Sequence, residues 1–120
     1  MMEVRENVVV TKSTELALLV IEFCEELEGN KKFVVARQLL KAGTSVGANI
    51  REAQNAESMA DFVHKLKIAA KELEETKYWL ELCEKSKSYP CNEELISTSS
   101  ELSLILGKIV STSKKKLNNS

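Results

Sequence analysis

Apolar residues recur at helical spacing along most of this chain. In the first segment, Leu16, Val20, Phe23 and Leu27 follow one another at intervals of three or four residues, which places them on one face of a helix. Three later segments repeat the pattern. The spacing predicts four helices, over about residues 13–28, 32–55, 58–87 and 92–116.

Local signals mark the predicted helix boundaries. Ser13 is a predicted N-cap of the first helix, and Gly29-Asn30 is a predicted C-terminal stop. Ser58 followed by Asp61 resembles a capping box with Asp in place of Glu. Tyr89-Pro90 ends the third helix, because proline cannot continue it.

The later helices carry apolar seams that need partners. The third seam consists of Phe62, Leu66, Ala69, Leu73, Leu80 and Cys83. The fourth consists of Leu95, Leu102, Leu104, Ile105, Leu106 and Ile109. Because each seam must be buried against other helices, the pattern predicts one domain over residues 1–120, an all-α, antiparallel, up-down-up-down four-helix bundle.

Composition agrees with this architecture and excludes several classes of protein. Four glycines and one proline in 120 residues argue against a loop-rich or all-β fold. No apolar run approaches the ~20 residues of a membrane span, and the N-terminus does not resemble a signal peptide. Cys24, Cys83 and Cys91 form no CxxC pair, so neither disulfides nor zinc are expected, and a cytoplasmic location is predicted.

The second predicted helix contains two glycines, Gly43 and Gly47, one turn apart on the same face. Each interior glycine costs about 1 kcal/mol relative to alanine. Close approach of another helix at this stripe would offset that cost.

The same helix carries polar residues that a simple bundle does not need. Ser45, Asn49 and Glu52 lie on one side at i, i+4 and i+7, and Glu72 and Glu75 lie one turn apart on the next helix. They could form a hydrogen-bonded network between helices or subunits, or a binding or acid–base site. The network is favoured, since the chain offers these carboxylates no nucleophile–base pair.

Two further patterns have alternative interpretations. Tyr78-Trp79 flanks the third seam and could stack on bases, although a helix or oligomer contact is favoured. Asp61 and His64 have the i, i+3 spacing of a di-iron bundle ligand pair. With a single histidine in the chain, no metal site and no cofactor are predicted.

Charge is segregated along a chain whose net charge is only −1. Residues 13–29 contain five glutamates and no Lys or Arg, whereas residues 31–51 contain five Lys or Arg and no Asp or Glu. Arg37, Lys41 and Arg51 form a basic stripe. We expect this stripe to pair with the glutamates of the first helix. It could instead meet the acidic helix of a neighbouring subunit or bind phosphates. Nucleic-acid binding is possible but not favoured, because the pI is near 5.9.

Several motifs in combination resemble a known family. They are Val10-x-Lys12-Ser13, Gln38, Ser45-x-x-x-Asn49-Ile50-x-Glu52, Asp61-Phe62-x-x-Lys65-Leu66-x-Ile68-Ala69 and Glu72-x-x-Glu75-Thr76-x-Tyr78-Trp79-Leu80. The chain resembles the four-helix-bundle proteins encoded in intervening sequences of bacterial 23S ribosomal RNA genes. This resemblance implies an up-and-down bundle that assembles into ring-like pentamers, and it implies relatedness to accessory proteins of diversity-generating retroelements.

The functional expectation combines these observations. Ile68, Tyr78, Trp79 and Leu82 lie beyond the third seam, so one four-helix core cannot bury them together with the glycine stripe. We expect a non-enzymatic homo-oligomer, a pentamer by resemblance, with an assembly or binding role. Two alternatives are a nucleic-acid-binding accessory factor that works with a reverse transcriptase and, less favoured, a metal-dependent bundle enzyme.

Overall fold

The computed structural model describes the backbone of residues 4–119 and the side chains of residues 8–119. Its four helices are α1 (Val4–Gly29), α2 (Phe33–Gln54), α3 (Met59–Lys85) and α4 (Glu93–Asn118). Neighbours in sequence pack against each other, and α1 also contacts α4. This is the predicted up-down-up-down bundle, an elongated body of 51 × 22 × 21 Å with a nearly square cross-section.

The start of α1 differs from the prediction. The helix begins at Val4, and Ser13 is a buried interior residue instead of an N-cap. The hydroxyls of Ser13 and Thr14 both donate to the Val10 carbonyl, at 2.9 and 3.0 Å. Val9 extends the apolar seam and is fully buried, so its burial against the bundle outweighs the weak helix propensity of the valine run.

The other boundaries lie close to the predicted ones. Ser58 caps α3, because its hydroxyl accepts the Asp61 N–H at 3.1 Å, while the Asp61 carboxylate accepts the Glu57 N–H at 3.2 Å. Asn92 caps α4 by accepting the Leu95 N–H at 2.8 Å. After Gly29, the chain reverses through Lys31, which has a φ of 64°.

Three predicted seam residues, Phe62, Leu104 and Ile105, are not fully buried. Val63 is buried at the start of α3, whereas Phe62 is half-buried beside the core. On α4, Leu104 is 72% exposed and Ile105 is half-buried. Small polar residues fill the remaining inward positions of these helices. Thr76 donates to the Glu72 carbonyl at 2.8 Å, and Ser99 donates to the Ile96 carbonyl at 2.8 Å.

The glycine stripe marks a close approach of α1 to α2. A Cβ on Gly43 would lie 2.7 and 2.9 Å from the two methyl groups of Val20, which is closer than carbon atoms tolerate. A Cβ on Gly47 would lie 3.4 Å from the Ser13 hydroxyl oxygen. In the same interface, the Cys24 thiol donates to the Ala36 carbonyl at 3.2 Å. The expected close helix contact is therefore formed, and α1 is the partner helix.

This contact generates a prediction for glycine replacement. Gly43→Ala should destabilise the fold by about 1–3 kcal/mol, because the short, buried side chain of Val20 cannot move away from a new methyl group. Gly107→Ala is the matched control. No atom lies near its added methyl group, so it should stabilise α4 by about 1 kcal/mol. Urea unfolding followed by circular dichroism at one protein concentration measures both. Equal effects of the two substitutions would contradict the close contact.

Candidate functional site

The polar residues singled out in the sequence lie along the groove between α2 and α3. Lys65 of α3 donates to Glu52 of α2 at 3.1 Å, which fixes the relative height of the two antiparallel helices. Since both helices rise equally per residue, Ser45 is level with Glu72, and Gln38 is level with Trp79. We call this surface the α2–α3 groove.

Helical spacing places the set on facing flanks of this groove. The Glu52–Lys65 bond identifies the flank of α2 that faces α3. By helical spacing, this flank also carries Gln38, Ser45 and Asn49. The facing flank of α3 carries the residues that follow Lys65 at helical spacing, namely Ile68, Glu72, Glu75, Trp79 and Leu82. Tyr78 lies further round, towards solvent, and is 53% exposed. The structure thus brings together all of the predicted set except Tyr78.

Within one chain, most of these groups bond to their own helix. The Ser45 hydroxyl donates to the Lys41 carbonyl at 2.7 Å, and the Asn49 amide donates to the Ser45 carbonyl at 2.9 Å. Among the described residues, the Glu52–Lys65 pair is the side-chain hydrogen bond that joins α2 to α3. The polar set therefore borders an outward-facing groove, and its role as a network or interface between subunits stays a prediction.

The aromatic pair has unequal exposure. The indole N–H of Trp79 donates to the Glu75 carboxylate at 3.2 Å, and this side chain is half-buried against the core. The Tyr78 and Trp79 rings lie 5.3 Å apart at an interplanar angle of 60°. Trp79 is thus anchored to its own helix, while Tyr78 presents a ring to solvent.

The basic stripe does not behave as one unit. All three residues are exposed, but Arg51 donates to the Thr14 hydroxyl of α1 at 3.0 Å, whereas among the described side chains no hydrogen bond joins Arg37 or Lys41 to α1. Ion pairs among residues 8–119 involve Lys12, Lys65, Lys77 and Lys85. None of them joins a glutamate of α1 to a cation of α2, so the expected charge pairing between these two helices is not formed within the chain. Glu22 and Glu25 of α1 are exposed, as are Arg37 and Lys41 of α2.

The residues considered as metal ligands are not assembled. The Asp61 carboxylate accepts the Glu57 N–H at the start of α3, and His64 is exposed. Glu84, Cys91 and Glu93 bring their ligand atoms within 4.8 Å of one another at the α3–α4 turn. The spacing of these residues along the chain does not reveal the group, because the α3–α4 turn brings Glu84 to the other two. All three residues are solvent-exposed, and exposed carboxylates commonly cluster without a metal ion.

The two buried cysteines are unsuited to nucleophilic chemistry. Burial raises the pKa of the Cys24 thiol to about 12, with a further contribution from Glu28. Burial likewise raises the pKa of the Cys83 thiol to about 11. Both groups are therefore protonated near neutral pH, and a protonated thiol is a poor nucleophile. Cys91 is exposed at the α3–α4 turn.

Fold and surface together define a small all-α bundle that has an outward-facing polar groove. The model of the family described as "23S rRNA-intervening sequence protein" matches residues 5–111, and the chain belongs to that family. A crystal structure from Bacteroides thetaiotaomicron, described as a protein of unknown function from the S23 ribosomal protein family, is 42% identical. It superposes with a TM-score of 0.83, and the match covers 89% of this chain and 98% of that one.

None of the curated proteins matches the chain. In residues 4–119, no helix combines the length and the apolar character that a membrane span requires.

The thiol environments predict selective alkylation. At pH 8, iodoacetamide should modify Cys91 first, and Cys24 and Cys83 at least about tenfold more slowly, because both are buried and their raised pKa suppresses the thiolate. Peptide mass spectrometry over a time course measures the three rates. In urea all three should react alike, which is the control. Rapid modification of Cys24 in the folded protein would contradict the packing of α1 on α2.

Proposed function

We propose that this protein is a non-enzymatic homo-oligomer with an assembly or binding role, and that its working form is a pentamer. The observation that carries the proposal is the amount of large apolar side chain left in solvent. Leu18 is 57% exposed and Val34 is 71% exposed, and several others are more than a third exposed, namely Ile21, Leu40, Tyr78 and Leu82. Extended apolar surface on a small domain usually marks an interface.

The distribution of this surface supports a contact with other copies. Exposed large apolar residues occur on all four helices, with Leu18 and Ile21 one turn apart on α1 and Leu104 on α4. Leu82, on the α3 flank of the α2–α3 groove, is exposed and adds apolar surface beside the polar set. The pentamer itself rests on the family resemblance in the sequence motifs.

The chemistry of the described residues supports a role without catalysis. Two of the three thiols are buried and protonated, and within residues 8–119 no hydrogen bond joins the exposed His64 to a hydroxyl or a thiol. The three free cysteines also support a reducing, cytoplasmic location. The α2–α3 groove is the surface on which we place a further binding partner.

A second candidate function follows from the exposure of Arg37 and Lys41. No carboxylate of the described residues neutralises either cation, and both point to solvent, as residues that contact phosphates do. This favours an accessory factor that binds nucleic acid. The net charge of −1 works against it. The experiment in the next subsection separates the two functions.

Assembly can be tested by mass. Light scattering coupled to size-exclusion chromatography at micromolar concentration should give about five times the 13.4 kDa of one chain. The exposed apolar surface accounts for association, because its burial is favourable in proportion to area. A mass of one chain throughout a dilution series would contradict the proposal. A stable mass other than five chains would retain the oligomer and reject the pentamer.

A further inference from the structure

Two outward-facing strips of opposite charge occupy neighbouring corners of the bundle. The α1 ridge consists of Leu18, Ile21, Glu22 and Glu25, in which each apolar residue lies one turn from a glutamate. The α2 ridge consists of Arg37, Leu40, Lys41 and Ala48. All eight side chains are exposed, and none takes part in an ion pair within residues 8–119.

The two strips match each other in chemistry. The α1 ridge offers two large apolar side chains beside carboxylates, and the α2 ridge offers a leucine and a small alanine beside two cations. Apolar area buried at the centre of such a contact supplies affinity, and the opposite charges select the partner and its orientation. No ion pair joins the two strips within residues 8–119, so their charges are available to another molecule.

We propose that the α1 ridge of one subunit packs on the α2 ridge of the next copy of this chain. The occupant of each ridge is thus a second copy, identified by charge complementarity. This inference rests on the proposed oligomeric function and names the surfaces that form it. Glu22 and Glu25 meet Arg37 and Lys41 across the contact, and Leu18 and Ile21 pack against Leu40 and Ala48.

The position of the ridges agrees with a closed ring. In a bundle of square cross-section, the directions of two neighbouring corners differ by about 90°. In a ring, the directions from one subunit to its two neighbours differ by about 90° for four subunits and about 108° for five. A contact that joins two different patches repeats around such a ring until it closes. Subunits joined by α1 of one copy and α2 of the next therefore fit a small ring. In such a ring, the α1–α2 face of each subunit is turned towards the ring axis.

Charge reversal tests the contact. We expect Glu22→Lys with Glu25→Lys, or Arg37→Glu with Lys41→Glu, to weaken self-association at least tenfold, because each pair of changes sets like charges against each other. All four substitutions in one chain restore opposite charges and should return the association to within about threefold of the parent. Sedimentation velocity over a dilution series measures these shifts.

A matched control separates the contact from a change in net charge. Lys67→Glu with Lys71→Glu has the spacing and the charge change of the α2 reversal, but it lies on the exposed surface of α3. It should leave association unchanged. Circular dichroism confirms the fold of each variant, and recovery in the fourfold variant shows that the reversed chains can fold and assemble.

Each outcome decides the inference. An oligomeric parent whose association survives both reversals, or a fourfold variant that fails to recover, would overturn the ridge contact and leave the oligomer in place. A monomeric parent would reject the oligomer itself. Loss of binding to a fluorescent single-stranded RNA in the α2 reversal, with assembly intact, would overturn the contact and assign the α2 ridge to nucleic acid.

Discussion

The close packing of α1 on α2 at Gly43 is the constraint on which the rest of this bundle depends. Only a residue without a side chain leaves room for Val20 there, so the backbones of the two helices lie close together. That approach places the Cys24 thiol within bonding distance of the Ala36 carbonyl and lets Arg51 reach Thr14. It also fixes the directions of both outer surfaces. The acidic side chains of α1 and the basic side chains of α2 are largely exposed, and no ion pair joins them within residues 8–119.

Much of this architecture could be predicted, because helical periodicity determines which residues a bundle must bury. Leu66, Leu73 and Leu80 are buried as their spacing requires. The start of α1 could not be predicted in the same way. Three consecutive valines favour a strand by propensity, and only the buried environment of Val9 makes a helix preferable. The predicted α3 seam begins at Phe62, whereas the buried residue is Val63. Either residue fits the start of the seam by spacing, because an apolar seam drifts round an α-helix.

The candidate site was predictable to a similar extent. Spacing alone assigns Ser45, Asn49 and Glu52 to one side of α2, and the Glu52–Lys65 pair shows that this side faces α3. Spacing could not reveal that Ser45 and Asn49 bond to their own helix, since that depends on side-chain rotamers. Spacing also could not reveal that no ion pair joins α1 to α2 within residues 8–119. Exposed ion pairs contribute little free energy, so whether one forms depends on side-chain rotamers.

The proposed ridge contact requires that the opposite charges of α1 and α2 meet between copies of the chain. Zero-length carbodiimide cross-linking tests it most directly, because the reagent joins a lysine amine only to a carboxylate in contact with it. Chains labelled with ¹⁵N and unlabelled chains would be unfolded, mixed and refolded together before the reaction. If the ridges meet, Lys41 should be cross-linked to Glu22 or Glu25, and some cross-linked pairs should join a labelled peptide to an unlabelled one. The contact would be contradicted if every cross-link from Lys41 joined two peptides of the same isotope. It would also be contradicted if an oligomeric sample gave no cross-link from Lys41 to α1.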